Sequence, residues 1–108
     1  MHQRAERLSS SIHKIAAETL HGIASGAYLT VTRVDVSPDL RQALIWVSVY
    51  SKKEKEKEKE KEVFSVVLEQ QLSVKNAIAK QLHLRKVPNI EFRHDTTASL
   101  ADDLNKLM

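Results

Sequence analysis

A chain of 108 residues with 42% hydrophobic and 29% charged side chains has the size and balance of one domain around one core, and two cores would not fit. It contains no cysteine, which excludes a disulfide framework, a thiol nucleophile and thiolate zinc sites. Seventeen basic and fourteen acidic residues leave a net charge of +3, an excess whose meaning depends on where it lies.

The chain opens on Met-His-Gln-Arg with no apolar leader region, and no run of about 18 apolar residues follows. Export and membrane spanning are therefore not expected, and a cytoplasmic location is. On a helical wheel Leu8, Ile12, Ile15, Ala16, Thr19 and Ile23 fall together, while Arg4, Arg7, Ser11, Lys14, Glu18 and His21 share the opposite face. This predicts an amphipathic first helix. Gly22 and Gly26, the only glycines, bracket its end, and one of them is expected as a C-cap, where a positive φ is cheap.

Tyr28 to Val36 (YLTVTRVDV) and Gln42 to Tyr50 (QALIWVSVY) are rich in β-branched and aromatic residues, and Ser37-Pro38-Asp39-Leu40 between them places Pro where a type I turn favours it. A long antiparallel hairpin follows. In its second strand Ala43, Ile45, Val47 and Val49 alternate with Leu44, Trp46, Ser48 and Tyr50, so one face packs on helices and the other stays half open.

Lys52 to Glu62 alternates lysine and glutamate with no apolar residue to bury. It reads as a hydrated, mobile loop or a fraying helix start, a spacer rather than a polybasic arm. Val63 to His83 is helical in composition, but Phe64, Leu68 and Leu72 form one stripe and Val74, Ile78 and Leu82 another. The mismatch predicts two helices meeting at a kink near Leu72-Ser73. Pro88 ends this region, Ile90 to His94 forms a third strand, and Ser99 with Asp102 resembles a capping box before a short C-terminal helix holding Leu100, Leu104 and Leu107.

Charge is segregated along the chain. Between Gln70 and Ile90 stand Lys75, Lys80, Arg85 and Lys86 and no acid; beyond them Glu91, Asp95, Asp102 and Asp103 face only Arg93 and Lys106. A basic zone beside an acidic tail fits a polyanionic partner met on one side. Catalytic chemistry has no comparable support. The five histidines form no i,i+3 or i,i+4 pair that would hold a metal, and His13, His21 and His83 are better suited to touching phosphate. Ser9-Ser10-Ser11 lies within a helix, no glycine-rich phosphate loop exists, and the adjacent Asp102 and Asp103 point about 100° apart on a helix. No cofactor, metal or catalytic residue is expected.

Val36-Ser37-Pro38-Asp39-Leu40-Arg41-Gln42-Ala43-Leu44-Ile45-Trp46-Val47-Ser48-Val49 resembles the VSPDLxxAxVxVSV signature of the ribosome-binding factor A family. Leu84-Arg85-Lys86-Val87-Pro88-Asn89-Ile90-Glu91-Phe92, with Asp95 and Thr97, is similar to its LRxVPxLxFxxDxS segment. The resemblance implies an α+β, type II KH-like single domain in the order helix-strand-strand-helix-kink-helix-strand, with a three-stranded sheet packed on helices. It also implies a non-enzymatic assembly factor, expected as a monomer, that binds the small (30S) ribosomal subunit and its 16S rRNA late in maturation, aids rRNA processing and matters most in the cold. The family's Ala-x-Gly at the interhelix kink falls here on Gln70-Gln71-Leu72, so that motif is absent.

The residues expected to meet RNA phosphates are Lys75, Lys80, Arg85 and Lys86, with Arg4, Arg7 and Lys14 on the first helix beside them. The competing reading is a protein-interaction module whose sheet face, with Trp46 and Tyr50, meets a partner.

Overall fold

The computed structural model describes residues 3–21, 23, 28–50 and 57–96. Its elements run α1 (Gln3–Leu20), β1 (Tyr28–Val36), β2 (Gln42–Tyr50), α2 (Lys57–Glu69), α3 (Gln71–Leu82) and β3 (Asn89–His94). The sheet has the order β1-β2-β3, with β1 antiparallel and β3 parallel to β2. Parallel pairing needs a crossover, and α2 and α3 supply it.

The wheel expected for α1 holds. Ile12, Ile15, Ala16 and Leu20 are buried, Leu8 packs against them, and Arg4, Arg7, Lys14 and Glu18 lie on the outer side. On the strands, Ala43, Ile45, Val47 and Val49 point inward with Val31, Val34, Ile90 and Phe92. Val67, Val74 and Ile78 close the core from the helix side. Helices α1, α2 and α3 thus cover one face of the sheet, and no described helix covers the other.

The β1–β2 turn shows why Ser37-Pro38-Asp39-Leu40 makes a hairpin. The Leu40 N–H donates to the Ser37 carbonyl at 2.8 Å, and Leu40 then takes a positive φ of 62° to bring the chain back into register. Asp39 Oδ1 accepts from the Ser37 hydroxyl at 2.6 Å and from the Arg41 N–H at 3.1 Å. Those two hydrogen bonds, the Ser37 one first, hold the Asp39 carboxyl below its usual value. The turn is therefore favoured above about pH 4 and loses that support as pH falls through the lowered value.

Two expectations need correction. The helical region does break, but at Gln70, whose N–H reaches back only three residues to the Val67 carbonyl at 3.0 Å, and not at Leu72-Ser73. Nor do Leu68 and Leu72 form a stripe on the sheet: they are 48% and 66% exposed, and Val67, with Val63 and Phe64 partly buried beside it, takes that role. The physical reason is the phase of the wheel. Val63 and Val67 are four residues apart on α2, and Val74 and Ile78 four apart on α3, so each helix buries its own stripe and the steps through Leu68 and Leu72 follow neither. Gln71 fixes the break to the sheet by donating its side-chain amide to the Ile90 carbonyl.

Of the lysine-glutamate run, residues 57–62 form the first turns of α2, which agrees with a helix start there; residues 52–56 lie outside the described residues. The glycine cap at Gly22 or Gly26 and the short C-terminal helix with its capping box also lie outside them.

Candidate nucleic-acid interface

The expected cations sit on the helix side of the molecule, on three different supports. Arg4, Arg7 and Lys14 stand on α1 away from its buried stripe, with Arg7 and Lys14 two helical turns apart, about 10 Å along the axis. On α3, Lys80 is exposed and Lys75 half-buried. A five-residue step turns about 140°, so these two lysines leave α3 in different directions and do not form one stripe. Arg85 and Lys86 are exposed in the connection from α3 to β3.

That connection starts from a defined geometry. His83 ends α3 in the left-handed conformation, with φ 51° and ψ 40°, the usual way to turn a chain sharply out of a helix. Leu84 and Val87 then pack against the core and Pro88 is buried, which leaves the intervening Arg85 and Lys86 outward. None of the seven cations forms an ion pair with a described residue. Glu6 and Glu18 interrupt the basic face of α1, whereas α3 and its exit carry no acid. His21 and His83 are exposed and His13 is half-buried. Among the described residues no group of three His, Asp or Glu could hold a metal ion, and no helix is long and apolar enough to cross a membrane.

The open sheet face has a different composition, which the alternation of β2 alone could not reveal. Trp46 stands opposite Arg33 on β1 and Arg93 on β3; Leu44 stands opposite Asp35 and Glu91. The Arg33 guanidinium lies over the indole at 5.0 Å, a stacking contact suited to its planar cation. Arg33 pairs with Asp35 at 2.9 Å, and Arg93 with Glu91 at 2.7 Å. Next to them the Thr32 hydroxyl donates to Asp95 Oδ2 at 2.6 Å, linking β1 to the end of β3. The Trp46 indole N–H is covered and has no acceptor among the described residues. The side chain of Tyr50 lies outside the described residues.

Arg33 reaches this face because of a bulge. Leu29 and Val31 point inward in one phase and Val34 and Val36 in the other, and the register shifts between Val31 and Arg33. The three-residue step from Val31 to Val34 is the signal in the sequence that places Arg33 outward beside Trp46.

With this geometry in hand, comparison with known proteins is informative. The ribosome-binding factor A family model matches residues 4–108. A ribosome-binding factor A of Natranaerobius thermophilus is 32% identical over 109 residues, covering 97% of this chain and 79% of that protein. One of Dictyoglomus thermophilum is 33% identical over 106 residues, covering 94% and 85%. The solution structure of a putative ribosome-binding factor A from Thermotoga maritima superimposes with a TM-score of 0.66 at 29% identity, over 83% of this chain and 85% of that one. A Thermus thermophilus ribosome-binding factor A, fitted into a cryo-EM map of a complex with the 30S subunit, shares the fold with a TM-score of 0.66 at 18% identity, over 84% and 94%.

Proposed function

The chain belongs to the ribosome-binding factor A family, and from that premise we propose that it is a non-catalytic assembly factor that binds the small (30S) ribosomal subunit through 16S rRNA. A single copy engages the subunit in the cytoplasm, promotes its late maturation and the processing of its rRNA, and matters most in the cold. The observation that carries the RNA contact is the set of exposed cations without carboxylate partners among the described residues, above all Lys80, Arg85 and Lys86 at and beyond the end of α3. Such side chains release counterions on meeting phosphates, and that release supplies affinity without reading sequence. Folded RNA would be recognised by its shape. Arg7 and Lys14 on α1 extend the same side. Sucrose-gradient fractionation of cell extract tests the assignment: the chain is expected to travel with free small subunits, and sedimentation only with assembled ribosomes or only at the top of the gradient would contradict it.

A further inference from the structure

The two edges of the sheet are finished differently. Along β3 the outer edge is taken: the Ile90 carbonyl accepts the Gln71 side-chain amide, and the His94 ring stacks on Phe64 of α2 at 5.0 Å. The outer edge of β1 has no such cover among the described residues, and hydrogen bonds elsewhere in the sheet fix which groups it presents. The Asp95 N–H donates to the Val47 carbonyl at 2.8 Å, so Val47 turns its backbone to β3. The Thr32 hydroxyl donates to the Trp46 carbonyl at 3.3 Å and the Ser37 N–H to the Gln42 carbonyl at 2.9 Å, so Trp46, Leu44 and Gln42 turn theirs to β1. Direction alternates along a strand, and the register then sends the N–H and C=O groups of Leu29, Val31, Val34 and Val36 to the outer edge.

Beside that edge runs a groove whose other wall is α1. It holds two cavities, one of about 460 Å³ at Val34 and Val36 and one of about 280 Å³ at Leu29 and Val31. The helical wall there is made of short side chains, Ser9 and Ser10 at the first cavity and Ala17 at the second, which is why space remains. An unpaired strand edge beside a helix-walled groove is the geometry by which an extended peptide adds as a further strand. The peptide backbone pairs with the edge, and alternate side chains enter the groove. We propose that the β1 edge binds an extended, basic segment of a partner protein by strand addition.

Charge and spacing select this occupant. Glu6 lines the first cavity, is exposed and forms no ion pair with a described residue, while Asp35 beside it is already held by Arg33. No lysine or arginine lines either cavity, so a phosphate finds no counter-charge in the groove, whereas a lysine or arginine side chain finds Glu6. The second cavity is lined by Leu20, Leu29, Val31 and Val47, together with His13 and His21, and suits an apolar side chain. Its helical wall is centred about ten residues beyond that of the first, near 15 Å along α1. Extended chain covers that distance in about four to five residues, and side chains on one face repeat every second residue. The partner segment therefore carries a basic and an apolar residue about four positions apart. The register shift between Val31 and Arg33 splits the edge into two short blocks, which keeps the pairing weak. None of Lys80, Arg85 and Lys86 lines the groove, so this contact stands or falls independently of the RNA contact.

The test is amide hydrogen exchange of the full chain, read residue by residue by NMR. The probe is the synthetic peptide Thr-Ser-Lys-Ser-Val-Thr-Leu-Arg-Thr, whose lysine and leucine have the required spacing, and a dissociation constant on the order of hundreds of micromolar is expected. The amides of Leu29, Val31, Val34 and Val36 should exchange fast in the free chain. They should slow about tenfold when the peptide stands at about ten times its dissociation constant, while those of Thr30, Arg33 and Asp35 stay protected throughout. Glu6→Lys should weaken the peptide about threefold, and a peptide with glutamate in place of its lysine should bind that variant better than the wild type. Ala17→Trp, which fills the second cavity, should weaken binding as well. Both positions are exposed, circular dichroism establishes that the variants are folded, and the wild-type exchange pattern decides by itself if one is not. The proposal is overturned if the four amides ignore the peptide, if Glu6→Lys leaves the affinity for both peptides unchanged, or if 16S rRNA slows those amides and the peptide does not. It is also overturned if they are already protected in the free chain, since the chain's own residues then occupy the edge.

Discussion

The two outward surfaces of the molecule carry the same cationic side chains in opposite electrical circumstances. On the helix side Arg7, Lys14, Lys80, Arg85 and Lys86 form no ion pair with a described residue. On the sheet side Arg33 and Arg93 are also accessible, yet each is held by a carboxylate two residues away. An unpaired surface cation keeps its full attraction for a phosphate, whereas a paired one must first give up a neighbour. Counting basic residues along the chain would treat the two surfaces alike; geometry separates them.

Ile45 lies at 0% exposure on the inner face of β2, directly behind this contrast. Replacing Ile45 by Ala should weaken both surfaces together, because it opens a cavity under the sheet that carries one and supports the helices that carry the other. A loss of about 3 kcal/mol in urea unfolding is expected, within the roughly 2–5 kcal/mol range of such truncations. A loss below about 1 kcal/mol would mean the sheet and helix layers are not packed as described.

His83→Gly should act on the helix side alone. A left-handed helix end favours glycine over a residue with a Cβ, so stability should rise by about 0.5–1 kcal/mol. A destabilised variant in thermal melting would show that the His83 side chain, rather than its backbone, matters at that turn.

The smallest effect belongs to Leu72, and it separates two readings of the same helix. At 66% exposure, Leu72→Gln should shift stability by no more than about 0.5 kcal/mol in urea unfolding. A residue on a buried stripe would cost several times more.

That last case shows what the sequence made legible. Strand bounds, the turn at Ser37-Pro38-Asp39-Leu40 and the buried face of α1 follow from local chemistry: alternation, turn residues and a clean wheel. The break between α2 and α3 was legible as an event but displaced, because leucine at positions 68 and 72 reads as core whenever burial is judged by residue type. Only the sheet decides that Val67 faces inward. The basic residues of the helix side were legible as a run without acids. Their distribution over α1, α3 and the exit to β3 was not, since helical phase splits Lys75 from Lys80. Nor was the pairing of Arg33 and Arg93 around Trp46, which needs a bulge on β1 and a parallel partner from the far end of the chain.

The contrast between the two surfaces is tested most directly by the salt dependence of binding to purified small subunits, measured for wild type, K80E/R85E and R33E/R93E side by side. If the unpaired cations meet phosphates, K80E/R85E should weaken binding and reduce the log–log salt slope by about 0.7–0.9 for each phosphate no longer neutralised. R33E/R93E should keep both the affinity and the slope of the wild type. An unchanged slope for K80E/R85E would contradict the account, and a reduced one for R33E/R93E alone would place the RNA on the sheet side.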